Sequence, residues 1–174
     1  LYFPSGATTS SSNTRALYFG SGNNNFTLNT TSPLVTDVFV EPRGASWADI
    51  DNDGDMDGYI MESIGTTAEN SFYINDGNGN FTKQLGSTVL GELVRGGRGS
   101  VFFDYDNDGF LDVYVCNYYA VNWLLHNNGD GTFSEVALEM NVGNLNRPTY
   151  MSTWIDYNND CLLDLFIVND AGMP

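Results

Sequence analysis

Three short windows hold 12 of the chain's 22 acidic residues: Asp49 to Asp57, Asp104 to Asp112 and Asp156 to Asp164. In the first, oxygen-bearing side chains stand at loop positions 1, 3, 5 and 9 as Asp49, Asp51, Asp53 and Asp57. In the second the same positions are Asp104, Asp106, Asp108 and Asp112. A main-chain carbonyl is available at position 7, from Asp55 and from Phe110, and Gly54 and Gly109 at position 6 allow a sharp turn. Such a set of hard oxygens suits Ca²⁺, whereas Mg²⁺ prefers a tighter octahedron and keeps its waters. Carboxylates packed within one turn repel strongly unless a cation neutralises them. The third window offers Asp156, Asn158, Asp160, the Leu162 carbonyl and Asp164. Here Asn158 removes a charge and Cys161 replaces the glycine, where a side chain strains a left-handed backbone by roughly 1 kcal/mol or more. The expectation is one structural Ca²⁺ per loop, weakest in the third. A cage filled by loop ligands leaves no open coordination position for catalysis.

The elements that must position these loops repeat with them. Leu17 to Phe26, Phe72 to Phe81 and Leu124 to Phe133 each read as strand, Gly/Asn turn, strand. From the closing aromatic to the first Asp of the next loop the spacing is constant at 23 residues: Phe26 to Asp49, Phe81 to Asp104, Phe133 to Asp156. The loops themselves recur after 55 and then 52 residues. Four strands per unit are predicted: one entering the Asp loop (Gly44 to Asp49, Ser100 to Asp104, Met151 to Asp156), one leaving it, and two flanking the turn. The leaving strands, Gly58 to Met61, Val113 to Cys116 and Leu165 to Val168, are nearly continuous apolar runs, as for strands covered on both faces. The fold class is all-β: about three tandem four-stranded antiparallel blades of the propeller type. The units are about 17–71, 72–123 and 124–174, preceded by an extension over 1–16.

Composition agrees and excludes. Eleven Phe, 10 Tyr and 3 Trp beside 19 Gly favour short strands and tight turns. A net charge of −16 with 6 Lys+Arg argues against a nucleic-acid partner, which needs a basic stripe. No apolar run approaches the roughly 20 residues that span a bilayer, so membrane insertion is not expected. A start at Leu1 shows no signal peptide, as in a processed or partly observed protein. Cys116 and Cys161 are too few for a disulfide framework and are expected unpaired. Sequons at Asn25, Asn29 and Asn80 offer N-glycosylation sites, two of them at one repeat position. His126 is the sole histidine and aligns with Phe19 and Ile74, so it reads as a packing residue; the paired carboxylates a glycosidase would need are accounted for as ligands.

The residues Trp47 to Met61, Phe102 to Cys116 with Asn127 to Phe133, and Trp154 to Asp170 resemble the FG-GAP/VCBS repeat family, which includes the integrin-α propeller blades and cartilage acidic-type repeats. The resemblance runs over about 17–174. It implies a Ca²⁺ in each Asp loop, an extracellular setting, and roles in adhesion, carbohydrate binding or scaffolding. The loops differ from an EF-hand, since position 12 is Ile60, Val115 or Ile167 where an EF-hand needs Glu. Three units do not close a propeller, which has about 4 to 8 blades. The third stops after Leu165 to Val168, while Leu17 to Thr27 supplies a strand pair without a unit before it. Leu1, Tyr2 and Phe3 echo Leu17 to Phe19 across a Ser/Thr-rich linker, Ala7 to Thr14. Such a strand can add to a sheet edge, either closing the chain on itself or entering the next copy to give a filament. The function expected is a secreted, calcium-stabilised structural or adhesive element. The alternative is a glycan- or protein-recognition module within a larger propeller, and more distantly an accessory domain of a hydrolase.

Overall fold

A computed structural model describes residues 2–3, 15–37, 42–62, 70–85, 97–118, 120–144 and 147–170. The described residues are all-β apart from one helical turn. The elements in chain order are β1 (Tyr2–Phe3), β2 (Ala16–Gly20), β3 (Phe26–Asn29), α1 (Pro33–Thr36), β4 (Pro42–Ala48), β5 (Asp57–Glu62), β6 (Ser71–Asn75), β7 (Phe81–Lys83), β8 (Gly97–Phe103), β9 (Asp112–Asn117), β10 (Trp123–Asn127), β11 (Phe133–Glu135), β12 (Thr149–Ile155) and β13 (Asp164–Asn169). Two complete antiparallel sheets form, β4-β5-β6-β7 and β8-β9-β10-β11, and β12-β13 is the first half of a third. At the other end lies a sheet ordered β1-β2-β3. The antiparallel four-stranded blade expected from the repeat is therefore present, with the Asp loop joining its first two strands and the Gly/Asn turn its last two. Sheet boundaries fall half a period away from the 17–71, 72–123 and 124–174 units, because a unit that starts at a turn straddles two sheets.

β8 packs beside both β4 and β12, so the entering strands of successive blades line up. Glycine makes that approach possible: a Cβ on Gly99 would stand 2.9 Å from the Tyr150 carbonyl. The register slips at the same place in all three blades, between Pro42 and Gly44, Gly97 and Gly99, and Thr149 and Met151. These bulges bend each entering strand where the blades converge. Arg43 and Arg98, the equivalent basic positions, sit in them. Arg98 lies over the Tyr118 ring at 4.4 Å, and Tyr118 Oη donates to Asp170 Oδ2 at 2.8 Å.

The core is the set of seams between blades. Tyr59, Met61 and Phe72 of the first meet Val113, Val115 and Trp123 of the second. Phe103, Tyr114 and Cys116 of the second meet Trp154, Leu165 and Ile167 of the third, with Phe103 stacked on Trp154 at 4.0 Å. Burial on both faces explains the unbroken apolar runs of β5 and β9, whose residues are all buried. In front of the first blade, Leu17 and Leu34 cover Ile60 and Tyr73. Leu34 is carried by α1, a turn not anticipated from sequence; Ser32 caps it by accepting from Leu34 N at 3.3 Å, and Pro33 starts it. Trp47, which aligns with Phe102 and Trp154 two residues before each Asp loop, is 36% exposed and packs edge-on against Phe81.

Candidate metal centres

Each Asp loop curls around its own carboxylates in the same way. The position-1 side chain accepts from two main-chain N–H groups: Asp49 from Asp53 N and Gly54 N, both at 3.0 Å, and Asp104 from Asp108 N at 3.1 Å and Gly109 N at 3.0 Å. In the third loop Asp156 holds Asp160 N at 3.1 Å and Cys161 N at 2.9 Å. Position 5 then accepts from position 7, Asp53 from Asp55 N, Asp108 from Phe110 N and Asp160 from Leu162 N. The curl needs left-handed backbone twice. Position 4 supplies it with asparagine, Asn52, Asn107 and Asn159 at φ 60°, 62° and 63°. Position 6 supplies it with Gly54 and Gly109, and with Cys161 at φ 68°, so the strain expected at that cysteine is where the sequence puts it.

The result is convergence. One carboxylate oxygen from each of Asp49, Asp51 and Asp53 lies within 4.8 Å of the others, and the same holds for Asp104, Asp106 and Asp108. Burial, then the charge of Asp53, raises the Asp51 pKa above the ordinary carboxylate value. Three acidic oxygens gathered in this way can hold a hard cation, and the donor set fits one. The third loop folds alike but is weaker in charge: Asn158 Nδ2 donates to Asp160 Oδ2 at 3.0 Å, and Asn158 Oδ1 accepts from Asp160 N.

Position 9 behaves differently from positions 1, 3 and 5. Asp57 and Asp112 are buried, and both oxygens of each are engaged by main-chain N–H groups. Asp57 accepts from Ile50 N at 3.0 Å and Asn75 N at 2.9 Å; Asp112 accepts from Tyr105 N at 3.0 Å and Asn127 N at 2.8 Å. Burial pushes the Asp57 carboxyl up to about 6 against the lowering effect of these donors, and it raises Asp112 in the same direction. Position 9 thus staples the loop to the hairpin of its own blade. The hairpin returns the bond: Asn75 Nδ2 donates to the Met56 carbonyl and Asn127 Nδ2 to the Leu111 carbonyl, both at position 8. Asp164 makes the first half of the staple, accepting from Tyr157 N at 3.3 Å.

At position 7, Asp55 and Phe110 lie over the first turn glycine, so that a Cβ on Gly129 would stand 2.7 Å from the Phe110 ring. His126 does not simply pack as its apolar counterparts do. It is half-buried, with Nδ1 at 3.1 Å from Asp112 Oδ1 and 3.6 Å from Asp106 Oδ2, and its ring meets Tyr105 edge-on. Asn75, Asn127 and the position-4 asparagines went unassigned in the sequence, although each recurs in register. Asn25 and Asn80 are exposed at hairpin turns, while half-buried Asn29 accepts from Thr31 N and Ser32 N. Tyr2 and Phe3 pair with Leu17 and Ala16 of their own chain; Leu1 lies outside the described residues. Cys116 is buried and Cys161 exposed, both free.

The FG-GAP-like repeat model matches residues 63–115 and 104–167, which together cover more than half of the 174 residues. The chain belongs to the FG-GAP-like repeat family. Each match is phased across a blade boundary: the first runs from just after β5, midway through the first blade, through β6, β7 and the second loop into β9, and the second from that loop into β13. The Asp loops of the second and third blades are inside FG-GAP-like repeats, and the first loop repeats the same hydrogen-bond scheme ahead of them. No curated protein matches the chain. Among the described residues no helix is long and apolar enough to cross a membrane.

Proposed function

We propose that this FG-GAP-like chain is a secreted, calcium-stabilised, non-enzymatic structural or adhesive module. The observation that carries the reading is the recurrence of one loop geometry: charged oxygens at positions 1, 3 and 5 converge in the first two loops, position 9 locks each of these to its blade, and the third loop repeats the same curl with one charge fewer. Asp49, Asp51, Asp53 and Asp57 would hold one Ca²⁺, Asp104, Asp106, Asp108 and Asp112 a second, and Asp156, Asn158, Asp160 and Asp164 a third, with carbonyls of Asp55, Phe110 and Leu162 at position 7. The ion supplies positive charge and coordination, and the loop residues supply the fixed oxygens. Family membership supports the extracellular setting, in which Asn25 and Asn80 would be the better glycan acceptors. Calorimetric titration of the chelator-treated protein with CaCl₂ tests the reading: heat from two sites and a weaker third is expected, and no binding at millimolar Ca²⁺ would sink it.

A specific observation favours self-association as the way the module acts. Positions that are buried between blades in the first two repeats are open in the third: Tyr59 and Tyr114 are 0% exposed, their counterpart Phe166 is 62%. Met61, Cys116 and Val168 follow the same progression, as do Ala48, Phe103 and Ile155. At the opposite end Phe26 and Leu28 are exposed on the outer face of the β1-β2-β3 sheet. Two apolar blade faces at opposite ends suit head-to-tail stacking of copies, which does not close and so builds fibres. Strand donation by Leu1, Tyr2 and Phe3 would first have to exchange the pairing of β1 with its own β2. Sedimentation across a concentration series decides this: a monomer at every concentration would leave recognition within a larger propeller as the better reading.

A further inference from the structure

The first two Asp loops are wired together through the seam between their blades. Asp57 Oδ2 accepts from Ile50 N, the Ile50 carbonyl accepts from Asn127 Nδ2 at 3.1 Å, and Asn127 N donates to Asp112 Oδ1. This relay joins the position-9 carboxylate of one loop to that of the next through two residues, by the main-chain N–H and C=O of Ile50 and the side-chain and main-chain N–H groups of Asn127. All four residues are buried, at 5% exposure or less. A second link crosses the rim, where Asn52 Nδ2 donates to the Gly109 carbonyl at 3.1 Å, position 4 of one loop to position 6 of the next. The side-chain Nδ2 of Asn75, the counterpart of Asn127, donates only to its own loop's position-8 carbonyl among the described bonds, so the bond from Asn127 to Ile50 is specific to the seam.

We infer that Asn127 is a positioning residue that couples the first two cation sites, so that an ion in one loop tightens binding in the other. The inference rests on the calcium reading above. An ion drawing Asp49, Asp51 and Asp53 together fixes the peptide of Ile50. That holds the Asn127 amide where it must be to brace Asp112, and the second loop then closes with less conformational freedom left to lose. Coupling is reciprocal, as linkage requires. The third loop serves as the reference, because among the described residues no side-chain hydrogen bond ties it to the second loop as Asn127 and Asn52 tie the first two.

Calcium titration of the full chain followed by amide NMR tests the coupling. The N–H groups of Gly54, Gly109 and Cys161 each bond the position-1 carboxylate of one loop and therefore report the three loops separately. In the Asp51→Ala/Asp53→Ala variant, altered only at exposed residues, half-saturation at Gly109 is expected to move to at least roughly fivefold higher Ca²⁺, with Cys161 unmoved. The same double substitution on an Asn127→Ser background should produce a markedly smaller shift at Gly109. An unchanged Gly109 midpoint, or equal shifts at Gly109 and Cys161, overturns the coupling while leaving calcium binding intact. Absence of any calcium response in the unmodified protein overturns the metal reading itself.

Discussion

Cys161 occupies a left-handed position that glycine fills in the other two loops, with φ 68° beside 97° at Gly54 and 91° at Gly109. Replacing it with glycine removes the contact between Cβ and the main chain, worth about 1 kcal/mol. Cys161→Gly is therefore expected to raise stability by about that amount and to tighten the third site, read as a higher denaturant midpoint and a lower calcium concentration at half-saturation. The two thiols should also differ in reactivity. Cys116 is fully buried in the seam between the second and third blades, and its burial pushes the thiol up to about 11. A thiol in that range carries almost no thiolate near neutrality, so a thiol-specific reagent at pH 7 should label Cys161 alone in the folded protein and both cysteines after denaturation. Equal labelling of the two in the folded state would contradict the packing of that seam.

At the scale of the element, the loop and the hairpin of a blade form one unit because position 9 faces inward. Asp57→Ala leaves Ile50 N and Asn75 N without their acceptor, at a cost of about 1–3 kcal/mol for the buried Ile50 donor and less for the half-buried Asn75. Asp51→Ala removes an exposed carboxylate and should cost the metal-free fold almost nothing while weakening calcium binding. Comparing the two variants by urea denaturation in chelator separates the structural role of position 9 from the ligand role of position 3. Equal destabilisation of both would contradict that division. Gly77 belongs to the same unit: its φ is 74° and a Cβ there would run into the Asp55 carboxylate. Gly77→Ala is expected to lower stability by about 1–2 kcal/mol even without calcium, measured as a shifted urea midpoint.

At the scale of the whole molecule, the calcium reading proposed above divides stability between the apolar seams and ions held in the Asp loops. An ion present at a hundredfold its dissociation constant contributes about 2.7 kcal/mol. A protein of this size shifts by about 2–4 °C per kcal/mol, so chelation should lower the melting temperature by at least about 5 °C for a single tight site, and further for more. Calorimetry with and without chelator checks this, and identical transitions would remove the ions from the account. The open face of β12 and β13 carries the other prediction. Phe166 is solvent-exposed, so Phe166→Asp should leave the melting temperature nearly unchanged while shifting sedimentation toward the monomer.

The loops and blades were legible in the amino-acid order because both are local: a turn that gathers carboxylates every second residue, and strands of a few residues joined by Gly/Asn turns, need only neighbours along the chain. Asp49 to Asp57 could be assigned to one loop, and β4 to its partner β5, without knowing what lay across the seam. Tertiary structure alone decided what spans it. The polar partners of His126 and the exposed setting of Trp47 come from contacts within one blade, the burial of Leu34 from α1 lying over the first blade, and the reach of Asn127 to Ile50 from how one blade lies against the next. That placement comes from side-chain packing between residues more than 50 positions apart, for which the one-dimensional pattern carries no register. The same asparagine therefore means a turn residue in the sequence and a bridge between two Asp loops in the fold.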